Sequence, residues 1–235
     1  NGADINAASD QNSNPLHGAA YYGHEKAVKL LIEKGADADN PNEYGFRPMM
    51  SACATRQLNI VKMLIDAGAD ISGRNYQGAN ALLIAASSGN KEMIELILSL
   101  GADINSVNND GDNIFHYAAI SPNPDLINYI LDKGFDINSV NHNGEPPVHS
   151  ACSAARLVNL KLLHSLGADI NMIDSSSQTA FVKVLYSTYR GIDDTTYAVM
   201  DYLIENGISV NTRDHNGITP LMRAIHTENG DIIDK

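Results

Sequence analysis

Four segments of the chain carry apolar residues at i, i+3 and i+4: Val28, Leu31 and Ile32; Val61, Leu64 and Ile65; Ile94, Ile97 and Leu98; Ile127, Ile130 and Leu131. That spacing lines one face of a helix. Each segment runs up to a glycine, which suits the left-handed position that follows a helix C-terminus. Ahead of each stripe lies a second helical signal. Thr219-Pro220-Leu221 shows it most fully, with threonine as N-cap and proline at the first helical position. Asn14-Pro15-Leu16-His17, Arg47-Pro48-Met49-Met50, Asn113-Ile114-Phe115-His116 and Pro146-Pro147-Val148-His149 follow the same plan. Small residues come next, as in Gly18-Ala19-Ala20 and Ser51-Ala52-Cys53, and let neighbouring helices approach closely. The pattern predicts turn, helix, turn, helix, many times over.

The period is fixed by a phrase of the Gly-Ala-Asp-Ile-Asn type at Gly2, Gly35, Gly68, Gly101, Gly134 and Gly167, each 33 residues after the last. A further copy begins at Gly207, after 40 residues. Ten residues into most copies stands another glycine: Gly45, Gly78, Gly111, Gly144 and Gly217. It suits a tight hairpin turn that needs positive φ. One such unit cannot bury its apolar faces alone, whereas stacked neighbours can.

The 33-residue period and the T-P-L-H-x-A-like phrase resemble the ankyrin-repeat family over essentially the whole chain. The resemblance implies an all-α ankyrin-repeat solenoid of stacked helix pairs with projecting β-hairpin-like loops. It also implies a concave face of hairpin tips and first helices that grips proteins. On this reading residues 1–235 form a single domain of about six complete repeats, with partial repeats at both ends, and belong to a longer protein. The repeat holding Phe181 departs from the pattern, with Ser177 for the turn glycine, Ala180 for the proline and seven extra residues near Tyr186 to Asp194. Those residues are expected to lengthen the first helix or to form a protruding loop, with Asp193 or Asp194 capping the second helix. Asn123 and Pro124 are expected to start another second helix, and Asn159 and His164 replace residues that are usually apolar.

Composition narrows the function classes. No apolar run approaches the roughly 18 residues needed to span a bilayer, so no membrane insertion is expected. The formal net charge is −12 and no Lys/Arg cluster appears, which argues against nucleic acid. The acidic balance serves solubility first and mildly favours a basic partner. Cys53 and Cys152 share one slot three repeats apart. Helices pack about 8–10 Å apart, which puts the two on the order of 30 Å from each other, too far for a disulfide.

The histidines His17, His116 and His149 also share one slot, which the resemblance makes structural, bonding backbone near the hairpins. The recurrent aspartate of the phrase supplies one carboxylate per repeat, not a facing pair. Catalytic residues, metal ligands and cofactors are therefore all expected to be none, and this chain is expected not to be an enzyme. The expected function is a protein-binding scaffold in an intracellular, cytoplasmic setting. The alternative is the targeting arm of a larger enzyme or host-directed effector whose catalytic domain lies outside the chain. Mapping the family's variable surface onto this sequence gives Glu43, Tyr44, Phe46, Arg74, Tyr76, Asp110, Asp112, His142 and Glu145 on the hairpin tips. It gives Tyr21, Tyr22, Thr55 and Tyr186 at the ends of first helices. Tyr44, Phe46 and Tyr76 stand out as exposed aromatic anchors. The partner is expected to be another protein with an apolar anchor or a basic surface. The sequence leaves its identity and the oligomeric state open.

Overall fold

The computed structural model describes residues 4–187 and 193–225. These contain thirteen helices and fall into two compact units, Asn1–Asn109 and Asp110–Lys235. In the first unit α1 (Pro15–Tyr21), α3 (Pro48–Ala54) and α5 (Ala81–Ser87) pack in a row. Behind them lie α2 (Glu25–Glu33), α4 (Leu58–Asp66) and α6 (Lys91–Ser99), each against its own partner. The second unit repeats the plan. Its inner row is α7 (Ile114–Ala119), α9 (Pro147–Ser153), α11 (Ala180–Ser187) and α13 (Pro220–Ile225), and its outer row is α8 (Asp125–Asp132), α10 (Leu157–Ser165) and α12 (Asp194–Glu205). This is the all-α arrangement of helix pairs that the apolar spacing predicts.

The core follows the period. The first helices bury Leu16, Met49, Leu82, Phe115, Val148 and Phe181 from one slot. The second helices bury Val28, Val61, Ile94, Ile127, Leu160 and Met200 from another. Each such side chain is worth about 1.5–3 kcal/mol when withdrawn from water. The alanines behind the first slot, such as Ala52, Ala85 and Ala118, are fully buried and set the close approach of neighbouring first helices.

The loops are built on side chains as much as on glycine. Asn42 Oδ1 accepts the amides of Tyr44 and Phe46, each at 2.9 Å, and the Asn42 amide donates back to the Phe46 carbonyl. Asn141, Asp174 and Asp214 close their own loops in the same way. The phrase aspartates do a parallel job: Asp37, Asp70, Asp103, Asp136 and Asp169 each accept the amide two residues on. This accounts for their recurrence without any chemistry. Where Ser177 replaces the turn glycine, it takes the same left-handed conformation, at φ 62°.

Two departures from the repeat have physical explanations. The turn between α7 and α8 spans residues 120–124 and contains Pro122 and Pro124, which have no amide to donate. The carbonyls of Ala119 and Ser121 are instead bonded by Asn159 Nδ2, at 2.8 and 2.9 Å, and that of Ile120 by Arg156 Nε at 2.9 Å. Asn159, in a slot that elsewhere holds Ile60, Met93 and Leu126, is thus a buried donor supplied by the following repeat. Asn123 accepts the Asp125 amide as the sequence implies, although α8 begins at Asp125 and not at Pro124. In the long repeat, α12 has 12 residues against nine in α10, so added length goes into the second helix as well. Asp193 caps it, accepting the Thr196 amide at 2.8 Å and the Thr196 hydroxyl at 2.9 Å. The rest of the expected insertion, residues 188–192, lies outside the described residues.

Candidate protein-interaction face

Hairpin tips are tied to one another within each unit. In the first, Glu43 donates its amide to the Gln11 carbonyl, Tyr76 to Tyr44 and Asn109 to Gln77. In the second, His142 donates to Asp110 and Ser175 to Asn143. Gly45 makes one of these approaches possible: a Cβ there would lie 2.7 Å from the Tyr76 nitrogen, and its φ of 75° disfavours any other residue.

This ladder aims side chains outward. Tyr44 is 50% exposed and Tyr76 66% exposed on consecutive tips. The neighbouring Glu43 carboxylate, through a hydrogen bond and its charge, pushes the Tyr44 phenol above its ordinary pKa. Phe46 is not an exposed anchor: it is half-buried, and its carbonyl is bonded by His17 Nε2 at 2.9 Å. The rings of Tyr44, Phe46 and Tyr76 make no ring contact with one another. At the end of α1, Tyr21 and Tyr22 are exposed and meet edge to face, with centroids 5.2 Å apart, and Tyr22 stacks on His24.

Several other sequence candidates are engaged within the fold. Arg74 spends Nη1 on the carbonyls of Gly78 and Val107, and the Thr55 hydroxyl bonds the Ser51 carbonyl at 3.1 Å. Asp110 and His142 are exposed, whereas Asp112 is half-buried with Oδ1 2.7 Å from Asn141 Nδ2. The side chain of Tyr186 lies outside the described residues.

Glu145 belongs to a network that the sequence reading missed. Lys183 Nζ lies 2.5 Å from Glu145 Oε1 and 2.5 Å from Asp174 Oδ2, and the Lys183 and Asp174 side chains are 7% and 4% exposed. Asn141 Nδ2 bridges Asp112 and Glu145. Burial pushes both carboxyls up, but hydrogen bonds led by that from Lys183 outweigh it and hold Glu145 and Asp174 below their ordinary values. The next repeat has the same pairing, with Arg223 Nη2 2.7 Å from Asp214 Oδ2. A signal was present: these two slots hold Asn42 with Ser51, Asn75 with Ile84 and Asn141 with Ser150, and turn acidic where the helix brings a cation.

The histidines sit as their slot implies. His17 Nε2 meets the Phe46 carbonyl, His116 Nε2 the Glu145 carbonyl and His149 Nε2 the Met172 carbonyl. A carbonyl only accepts, so each Nε2 carries the proton. Nδ1 of His17 and His116 accepts the amide of the N-cap asparagine. His149 follows Pro146, which has no amide, and its buried Nδ1 has no partner among the described residues. Burial lowers all three pKa values, that of His149 to about 4. Cys53 and Cys152 are buried thiols whose pKa burial pushes far up. Among the described residues no His, Cys, Asp or Glu side chains converge as metal ligands would, and no helix is long and apolar enough to cross a membrane.

Family models agree with the repeat. A model described as ankyrin repeats (3 copies) matches residues 1–75 and 82–174, and one described as ankyrin repeats (many copies) matches residues 196–235. No match to a curated protein accompanies them.

Proposed function

Because the chain belongs to the ankyrin-repeat family, whose repeats bind other proteins and are typically not catalytic, we propose that it is a binding scaffold working through its hairpin tips and first helices. One observation carries this reading. Among the described residues, the tyrosines exposed by half or more are Tyr21, Tyr22, Tyr44 and Tyr76. Two stand on tips and two at the end of a first helix. A tyrosine offers a large rigid contact at small entropic cost, with a hydroxyl for hydrogen bonding. Exposed Asp110 and the net charge of −12 favour a partner with basic groups beside an apolar anchor. We also propose that residues 1–235 act as one repeat domain, since the period runs without interruption from Gly101 to Gly134, across the boundary between the two units.

The test is quantitative capture of a partner by the whole chain, followed by Tyr44→Ala with Tyr76→Ala. Loss of at least about 2 kcal/mol of binding is expected, with circular dichroism unchanged and with Lys62→Ala, on the exposed side of α4, as the neutral control. A folded double variant that binds as tightly as the parent would remove the site from these tips.

A further inference from the structure

The opposite end of the first helices, at the turns between paired helices of the second unit, is also recessed. There a cavity of about 370 Å³ opens between Pro122 and Pro124 on one turn and Arg156, Leu157 and Val158 on the next, with Asn159 nearby. Its size is at the lower end for ligand pockets. The prolines create it: they lengthen the α7–α8 turn, and the Asn159 and Arg156 bonds to the turn's carbonyls hold it in place.

The sequence of α10 treats this spot unlike other repeats. Val158, 65% exposed, occupies the slot of Lys26, Asn59, Glu92 and Asp125. An aliphatic side chain left in water at a polar slot contributes nothing to the core. Among the described residues of the lining, which include Thr195, Arg156 is the charged one and none carries a carboxylate. Its Nε is spent on Ile120, and its terminal nitrogens make no hydrogen bond within the described residues. An apolar recess with one guanidinium fork at its rim has the anatomy of a site for an apolar group joined to a carboxylate.

We propose that this pocket binds a segment of a partner protein in which a large aliphatic side chain stands beside a carboxylate. The side chain fills the space between the prolines and Val158, and the carboxylate pairs with Arg156. The site is separate from the tip face, so either can fail without the other.

The test is a nuclear magnetic resonance titration of the whole chain with three short peptides, carrying leucine–aspartate, leucine–asparagine or alanine–aspartate. Saturable shifts at α10 and the α7–α8 turn are expected with the first. Affinity should fall at least about tenfold with each of the others, as for the loss of one anchor. Val158→Lys and Leu157→Glu restore the residues of Glu25-Lys26, so the fold is retained while binding is lost. Absence of saturable shifts, equal binding of the aspartate and asparagine peptides, or binding indifferent to Val158→Lys would overturn the proposal.

Discussion

Lys183→Met isolates the ionic network of the second unit. It leaves Asp174 and Glu145 facing one another without their shared cation, the first 4% and the second 26% exposed. Removing one partner of a buried ion pair costs about 3–5 kcal/mol, and the partial exposure of Glu145 argues for the lower end. A ceiling comes from proton uptake. The folded variant escapes repulsion by protonating one carboxyl, which from an ordinary pKa near 4 costs about 4 kcal/mol at pH 7 and about 1.4 kcal/mol less for each pH unit lowered. The expected loss is therefore about 3 kcal/mol at pH 7, shrinking to roughly 1 kcal/mol at pH 5. Lys183 holds both folded carboxyls low in the parent, so their contribution is present above the unfolded pKa and lost as pH falls through the folded one. In the variant those pKa values rise, and the gap between the two proteins closes on acidification. Asp174→Asn with Lys183→Ser recreates the neutral pairing of Asn141 with Ser150. It should recover at least about 1.5 kcal/mol relative to Lys183→Met. Urea unfolding by circular dichroism gives the totals, and hydrogen exchange in α9 and α11 places the loss, since two units need not unfold in one step. A Lys183→Met loss under about 1 kcal/mol, or one independent of pH, would refute this account of the network.

Asn159→Leu, which gives the slot the residue found at Leu126, should destabilise by about 1–3 kcal/mol because the Ala119 and Ser121 carbonyls lose their donor; a neutral or stabilising result in thermal unfolding would contradict the compensation. The His149 imidazole should titrate near 4 by nuclear magnetic resonance. Unfolded histidine binds its proton near 6.5, so stability should fall by up to roughly 3 kcal/mol between pH 6.5 and 4; His149→Leu, with the residue of Leu83, should flatten that slope by one proton, and a measured pKa above 6 would refute it. Cys53 and Cys152 should resist alkylation at neutral pH until denaturant is added, and fast labelling of the folded chain would contradict their burial.

Much of the fold was legible because the period repeats one physical problem. Each apolar stripe needs a neighbour, so Val28, Val61, Ile94 and Ile127 predict one another's burial. The site was legible less evenly. Tyr44 and Tyr76 project as their tip positions imply, whereas Phe46, two residues from Tyr44, is half-buried and its carbonyl is bonded by His17. Lys183 was hidden because its partners Glu145 and Asp174 come from two successive hairpins, and single-position reading treats each as a solvated charge. Asn159 looked like a flaw in its stripe. Its purpose appears only beside the two prolines of the preceding turn, whose missing donors it replaces.

Site-specific photocrosslinking tests the central claim most directly. A photoreactive residue is placed in turn at Tyr44, Tyr76 and His142 on the tips, and at Lys29, Lys62 and Glu95 on the exposed faces of second helices. The account predicts that a captured partner is crosslinked from the tips and not from these second-helix positions. Equal or stronger crosslinking from Lys29, Lys62 and Glu95 would contradict it.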